Sequence, residues 1–235
     1  GEFGCYPLNI YQHTRVVKYF YRLSIMHNQC IVKKAFNTLQ HLHNCSFKNW
    51  FSTVVTILTE NNLDIVSLSS EAVSNFCTNI KHKYIEKWHA DILRYPILRF
   101  YNSFKCDFSC ECYLELVRDF KLRKCISKLR LSSHNLAIES GRHTKPKTPE
   151  SDRICIFCQG PYIENEIHML FVCNFYREER VTFLANILKC EKEFFNEVDL
   201  NCFMEIFSHI MNTKNDMILF YLGKYINVCF NKRSN

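Results

Sequence analysis

The apolar positions of this chain recur mainly at three- and four-residue spacing, the period of a helix with one buried face. From about Tyr11 to His43, Val16, Val17, Phe20, Leu23 and Met26 keep that spacing, while Arg15, Lys18 and Arg22 fall between them. A second helix is predicted from Phe47 to Leu58, opening near Ser46, with Asn61-Asn62 marking the loop after it. A longer helix spans about Ser70 to Leu93 and stops before Pro96, because the residue preceding a proline disfavours helical geometry. Over Leu114 to Leu131, Leu122, Cys125, Ile126 and Leu129 project onto one stripe. Lys121, Lys124 and Lys128 fall on one flank of that stripe, Arg123 and Arg130 on the other, so the helix presents a cationic outer face. The pattern breaks at 140–153, where two prolines, a glycine and small polar residues predict a basic loop. Further helices are expected at about 174–190, 198–212 and 216–230. The expected organisation is a helical region over 1–139, a linker over 140–153, and a second part over 154–235.

Composition agrees with a mainly α fold. Only 5 Gly and 5 Pro are present among 235 residues, too little turn chemistry for a many-stranded sheet, whereas 20 Phe and 12 Tyr can fill a helical core. No apolar run approaches the roughly 18 residues that a membrane span needs, so no membrane partner is expected. The amino terminus lacks the charged-then-apolar layout of a secretory signal. Its Gly-Glu-Phe opening looks like a cloning remnant and carries no weight in the expected fold. The 14 cysteines are scattered, and reduced thiols of an intracellular protein, most of them buried as small hydrophobes, are expected. The net charge of +7 is uneven: residues 81–153 alone carry 16 Lys/Arg against 9 Asp/Glu. Such asymmetry points to a polyanion-binding surface.

Chemistry concentrates in residues 155–173, which read Cys155-x2-Cys158-x9-His168-x4-Cys173. Three thiolates and one imidazole are the donor set that a tetrahedral Zn²⁺ takes, and a two-residue gap lets consecutive cysteines turn onto one ion. Gly160, two places beyond the second cysteine, is expected to supply positive φ for the turn. His168 and Cys173 fall on a short helix whose apolar face is Ile163, Ile167, Leu170 and Phe171. Ligands five apart diverge on an ideal helix, so Cys173 is expected at a frayed end. Four protein ligands close the site, making the zinc structural. The competing reading is four buried residues of a helical core. A second group, Cys106-x3-Cys110-x-Cys112, reads as buried or incidental thiols.

Motifs of catalysis are missing. The seven aspartates (64, 91, 107, 119, 152, 199 and 216) stand apart in sequence, and no phosphate loop, zinc-protease helix or nucleophile elbow appears. No intrinsic enzymatic activity is expected. The basic segment offers instead Lys121, Arg123, Lys124, Lys128, Arg130, Arg142, Lys145, Lys147 and Arg153 as candidate phosphate contacts, with Phe157 and Tyr162 as stacking faces. Three readings stand side by side: a nucleic-acid-binding accessory module, a zinc-stapled protein-interaction scaffold, and a cryptic nuclease.

The run from Arg130 to Arg180 resembles the segment downstream of the polymerase in non-LTR (LINE-like) retrotransposon polyproteins. The resemblance is carried by Arg130, Ser132, His134, Leu136, Ile138, Glu139, Gly141 and Arg142, then Arg153, Cys155 and Cys158. Glu164, Glu166, His168, Cys173, Tyr176 and Arg180 complete it. It implies that Cys155, Cys158, His168 and Cys173 form a CCHC zinc knuckle. It also implies RNA or DNA and the upstream polymerase region as partners, and a nuclear or cytoplasmic location. The polymerase signature Tyr/Phe-x-Asp-Asp of such polyproteins is not found here, nor is an endonuclease, which fits a tail fragment, a truncated copy or a domesticated remnant.

Overall fold

A computed structural model of the chain describes residues 1–196 and 198–234. It is mainly α, with 64% of the chain helical. Among the described residues, isolated β pairing is confined to two bridges, Phe3 with Cys110 and Ile154 with Ile163. The chain divides into a smaller unit, residues 5–89, and a larger one formed by residues 1–4 and 90–235. The 140–153 segment is therefore not a boundary. It lies inside the larger unit, and its interior hydrogen bonds explain why.

In the smaller unit, α1 (Leu8–Ser24), α2 (Ile31–Asn44), α3 (Trp50–Glu60) and most of α4 (Ser70–Arg94) enclose a core of Val17, Phe20, Phe36, Phe51, Val54, Leu58, Val73 and Phe76. The single helical stretch expected over Tyr11–His43 is two helices. The break is held by Lys33, whose buried ammonium donates to the carbonyls of Leu23 (3.1 Å) and Ser24 (2.7 Å). Those are orphan acceptors at the end of α1 that a continuing helix would have used. Similarly, α3 opens one turn later than expected. Asn49 caps it by accepting from Phe51 N (2.8 Å), while Ser46 sits at φ 67 in the preceding turn.

The larger unit comprises α5 (Arg99–Asn102), α6 (Cys112–Leu116), α7 (Phe120–Arg130), α8 (Ala137–Ser140), α9 (Arg177–Cys190), α10 (Phe203–Asn212) and α11 (Asp216–Ser234). Helix α11 packs along both α7 and α9. Gly223 permits the close approach to α7, since a Cβ there would lie 2.8 Å from Leu122 Cβ. The expected Leu114–Leu131 helix is interrupted. Val117 leaves helical geometry, and the Asp119 carboxylate restarts the chain by accepting from Lys121 N at 2.8 Å and Leu122 N at 3.2 Å. The stripe of Leu122, Ile126 and Leu129 is buried as predicted, with Cys125 partly buried beside it.

Within 140–153 the guanidinium of Arg153 donates to Thr148 O (2.8 and 3.0 Å) and Ile138 O (2.7 Å), folding the loop onto α8. Gly141 leaves room for it, because a Cβ there would meet the Arg153 side chain at 2.7 Å. The Gly-Glu-Phe opening carries more weight than expected. Glu2 is buried, accepts the Tyr113 hydroxyl and pairs with Arg130 at 3.0 Å.

Ile126 has no solvent contact. Replacing it by alanine is expected to lower the urea-unfolding free energy of the larger unit by about 2–5 kcal/mol. Lys124→Ala, on the exposed flank of the same helix, should stay within about 0.5 kcal/mol.

Candidate metal centre and basic strip

Cys155 opens a tight knuckle, fixed by its own N–H donating to Tyr162 O at 2.8 Å and by Glu164 N donating to Arg153 O at 2.9 Å. The chain reverses between these bonds. The positive φ the turn requires falls on Gln159 (φ 55), not on Gly160 as expected. Gly160 is needed for a different reason. A Cβ there would lie 2.7 Å from the Tyr162 ring, which is stacked on the His168 imidazole at 5.5 Å between centroids.

The other two donors are brought together by a change in helix type. On an α-helix, residues five apart point about 140° away from each other. Here Cys173 N donates to His168 O at 2.7 Å, and residues 168–172 form one wide turn with i→i+5 bonding. The wider turn lets the pair face one point, and Cys173 sits at its end in extended geometry (φ -60, ψ 123), as expected of it. Asn165 Oδ1 accepts from His168 N at 2.8 Å and fixes where the turn begins. Of the apolar face expected here, Leu170 is buried, while Ile163, Ile167 and Phe171 are partly buried against the same core.

The four donor atoms converge. Cys155 Sγ stands 3.8 Å from Cys173 Sγ, Cys158 Sγ stands 3.4 Å from His168 Nε2, and all four lie within 4.8 Å of one another. Among the described residues this is the one His, Cys and carboxylate group so arranged, and it can hold a metal ion. Of the other cluster, Cys106 and Cys110 lie at the surface and Cys112 is half-buried; the burial expected of most cysteines is not found, since of the 14 only Cys155, Cys173 and Cys229 are buried. Burial pushes the Cys155 thiol up and the Cys173 thiol to about 12, and lowers His168. The imidazole is thereby held neutral, as a ligand must be, whereas the thiols yield their protons only to a cation.

Around this knuckle the residues that the resemblance singles out form a buried polar network. Glu166 accepts from Ser132 Oγ (2.8 Å), His134 Nε2 (3.1 Å) and Arg99 (2.9 Å). Glu164 takes both arms of Arg233 at 2.8 Å and the N–H of Ala137 at 2.7 Å. Glu139 pairs with Arg142 at 2.9 Å and Arg99 at 3.4 Å, and Arg180 donates to Cys173 O at 3.1 Å. Sequence reading missed Arg99 and Arg233 entirely, since they lie 67 and 69 residues from their carboxylate partners.

The nine candidate phosphate contacts separate by residue type. Lys121, Lys124 and Lys128 are exposed on one flank of α7, and Lys145 and Lys147 are exposed on the loop. The arginines are engaged by the fold. Arg123 donates to the carbonyls of Leu114 and Val117, Arg142 to Glu139 and Pro96 O, and Arg153 to its own loop. Arg130 is a plain correction. It is 1% exposed, lies 2.7 Å from Glu111, and stands over the Phe104 ring at 4.5 Å, out of reach of any phosphate. Nor is Phe157 an open stacking face, for Phe175 stacks on it at 4.9 Å and Arg233 stands over it at 5.5 Å.

No family model, curated protein or solved structure matches this chain.

Burial alone would raise the Glu166 carboxyl, but the His134 hydrogen bond and the Arg99 charge override it and hold it at about 2, below its ordinary 4.5. A folded-state value below the unfolded one stabilises the protein fully above about pH 4.5, and the contribution, roughly 3 kcal/mol, fades as pH falls toward 2. Glu166→Gln should therefore be less stable at neutral pH and show a flatter loss across that window. Urea titrations of both proteins at stepped pH check this.

Proposed function

We propose that the chain is a non-catalytic nucleic-acid-binding module stapled by one structural zinc, of the kind that follows the polymerase in non-LTR retrotransposon polyproteins. The observation that carries the zinc assignment is the spacing of the donors. Thiolates about 2.3 Å from a tetrahedral zinc stand about 3.8 Å apart, and a thiolate and imidazole about 3.6 Å. Two of the six separations, 3.8 Å and 3.4 Å, agree with those edges, and the widest, within 4.8 Å, needs a closure of about 1 Å around an ion. Soft thiolates with one imidazole favour zinc over oxygen-seeking cations. With all four positions filled from the chain, no place is left for a water or substrate, so the ion organises the fold.

Nucleic-acid binding is supported by the sorting of cations. Lys121, Lys124 and Lys128 border a cleft of about 350 Å³ between α7 and α11, with Asn135 and Asn231 in its lining and, among the described residues, no carboxylate side chain there. Free ammonium groups along one helix flank meet phosphates without regard to sequence, and such binding weakens steeply with salt. A zinc-stapled interaction scaffold is the second reading. It is favoured by an apolar cleft of about 450 Å³ where Leu188, Leu200 and Phe203 remain exposed around Phe171.

Elemental analysis of the purified chain should give one zinc per molecule, lost together with helical signal in the Cys158→Ser, His168→Ala double variant. Single-strand affinity should then be measured from about 50 to 200 mM salt, beside a Lys121→Glu, Lys124→Glu, Lys128→Glu variant. The triple variant is expected to bind at least about tenfold more weakly, with a salt slope shallower by about 2. Zinc-loaded protein whose binding ignores both salt and the triple change would leave the scaffold reading in place.

A further inference from the structure

Assigning charge by folded unit, not by stretch of sequence, moves the basic excess. Residues 5–89 hold nine Lys/Arg and four Asp/Glu, a formal +5, while the remaining residues hold 21 against 19. The smaller unit, which lies mostly outside the basic 81–153 stretch, is thus the more cationic body.

That charge borders a cavity. Between α1 and α4 lies a cleft of about 700 Å³ whose lining includes Tyr6, Lys18, Tyr21, Ser74, Thr78 and Lys81, and no carboxylate. Three features make it a site of definite chemistry. Lys18 on α1 and Lys81 on α4 are both exposed, one on each wall. Ser70, Ser74 and Thr78 recur every fourth residue, which sets their hydroxyls along one face of α4. The lining runs from Ser70 to Ile85, about 22 Å of helix at 1.5 Å per residue, long enough for several successive phosphates. Tyr6 and Tyr21 supply aromatic surface. Tyr6 is set by edge contacts to Tyr84 at 5.8 Å and Tyr11 at 6.3 Å, and the Lys81 ammonium stands 5.6 Å from its ring. Of the lining residues, His82 pairs with the Glu86 carboxylate at 3.2 Å, one turn further along α4.

We infer that this cleft is a second nucleic-acid site, specific to an unpaired strand: Lys18 and Lys81 take phosphates, the Ser70 and Ser74 hydroxyls donate to phosphate or sugar oxygens (that of Thr78 donates to Ser74 O at 3.3 Å), and tyrosine rings stack on bases. Unpaired bases are required because a base within a duplex has no face open to an aromatic ring. The inference rests on the reading of the chain as a nucleic-acid-binding module, but on residues that the reading does not use.

The test uses the whole zinc-loaded chain and a labelled oligouridylate of about twelve nucleotides, with a duplex of equal length as competitor. Lys18→Glu with Lys81→Glu should weaken single-strand binding about tenfold near 0.1 M salt and make the salt slope shallower by about 1.4, the value for two lost phosphate contacts on a single strand. A 5-iodouracil strand should crosslink on irradiation to the peptides carrying Tyr6 or Tyr21. If the α7 triple variant is impaired while the Lys18/Lys81 variant keeps wild-type affinity and slope, the cleft is not a site and the proposed function survives. A duplex that competes as well as the single strand also overturns the inference. No binding of either nucleic acid by the unaltered chain removes both.

Discussion

Three carboxylates with almost no solvent contact, Glu139, Glu164 and Glu166, tie the larger unit together, because each must find donors inside the protein or be expelled from it. The donors come from far along the chain: Arg99 at the start of α5, Ser132 and His134 after α7, Ala137 at the start of α8, and Arg233 at the end of α11. Two of the three carboxylates lie on the metal knuckle itself. The knuckle is therefore clamped to the helical body by charge as well as packed against it. Breaking one such buried pair by removing a partner costs about 3–5 kcal/mol, comparable with deleting a large core side chain.

Much of this fold was legible in the sequence. Helix period located α4 almost to the residue and placed the buried stripe of α7 correctly, because those features depend only on which side chains avoid water. Helix ends were less legible. The break between α1 and α2 depends on Lys33 reaching back to two carbonyls, and the break between α6 and α7 on Arg123 doing the same. Long cationic side chains that satisfy backbone acceptors look, in sequence, identical to those that face solvent. The four metal donors were legible because their spacing is a local property. Gly160 was identified for the wrong reason: space beside Tyr162, set by tertiary stacking on His168, governs it, and the strained φ falls one residue earlier.

The same ambiguity explains the basic strip. A guanidinium offers five donors in a fixed plane and bridges several carbonyls or carboxylates at once, whereas an ammonium is a compact, strongly hydrated charge. In this chain Arg123, Arg130, Arg142 and Arg153 are consumed in closing loops and pairing acids. The lysines beside them stay at the surface. A charge count along the sequence overstates what a phosphate would meet, since all four arginines of the strip are already bonded to carbonyls or carboxylates of the fold.

The division of labour also bears on how a metal ion could influence a surface it does not touch. Cys155 and Glu164 are joined to one knuckle, Glu164 grips Arg233 with two bonds, and Arg233 sits on the last turn of α11. Helix α11 in turn packs against α7, where Gly223 leaves room for Leu122, which lies between Lys121 and Arg123. The candidate metal knuckle is thus joined to α7 by two links, the Glu164–Arg233 pair and the packing of α11. The lysine flank needs no ligand on the metal to depend on it. It needs only that Arg233 has a carboxylate held in one place.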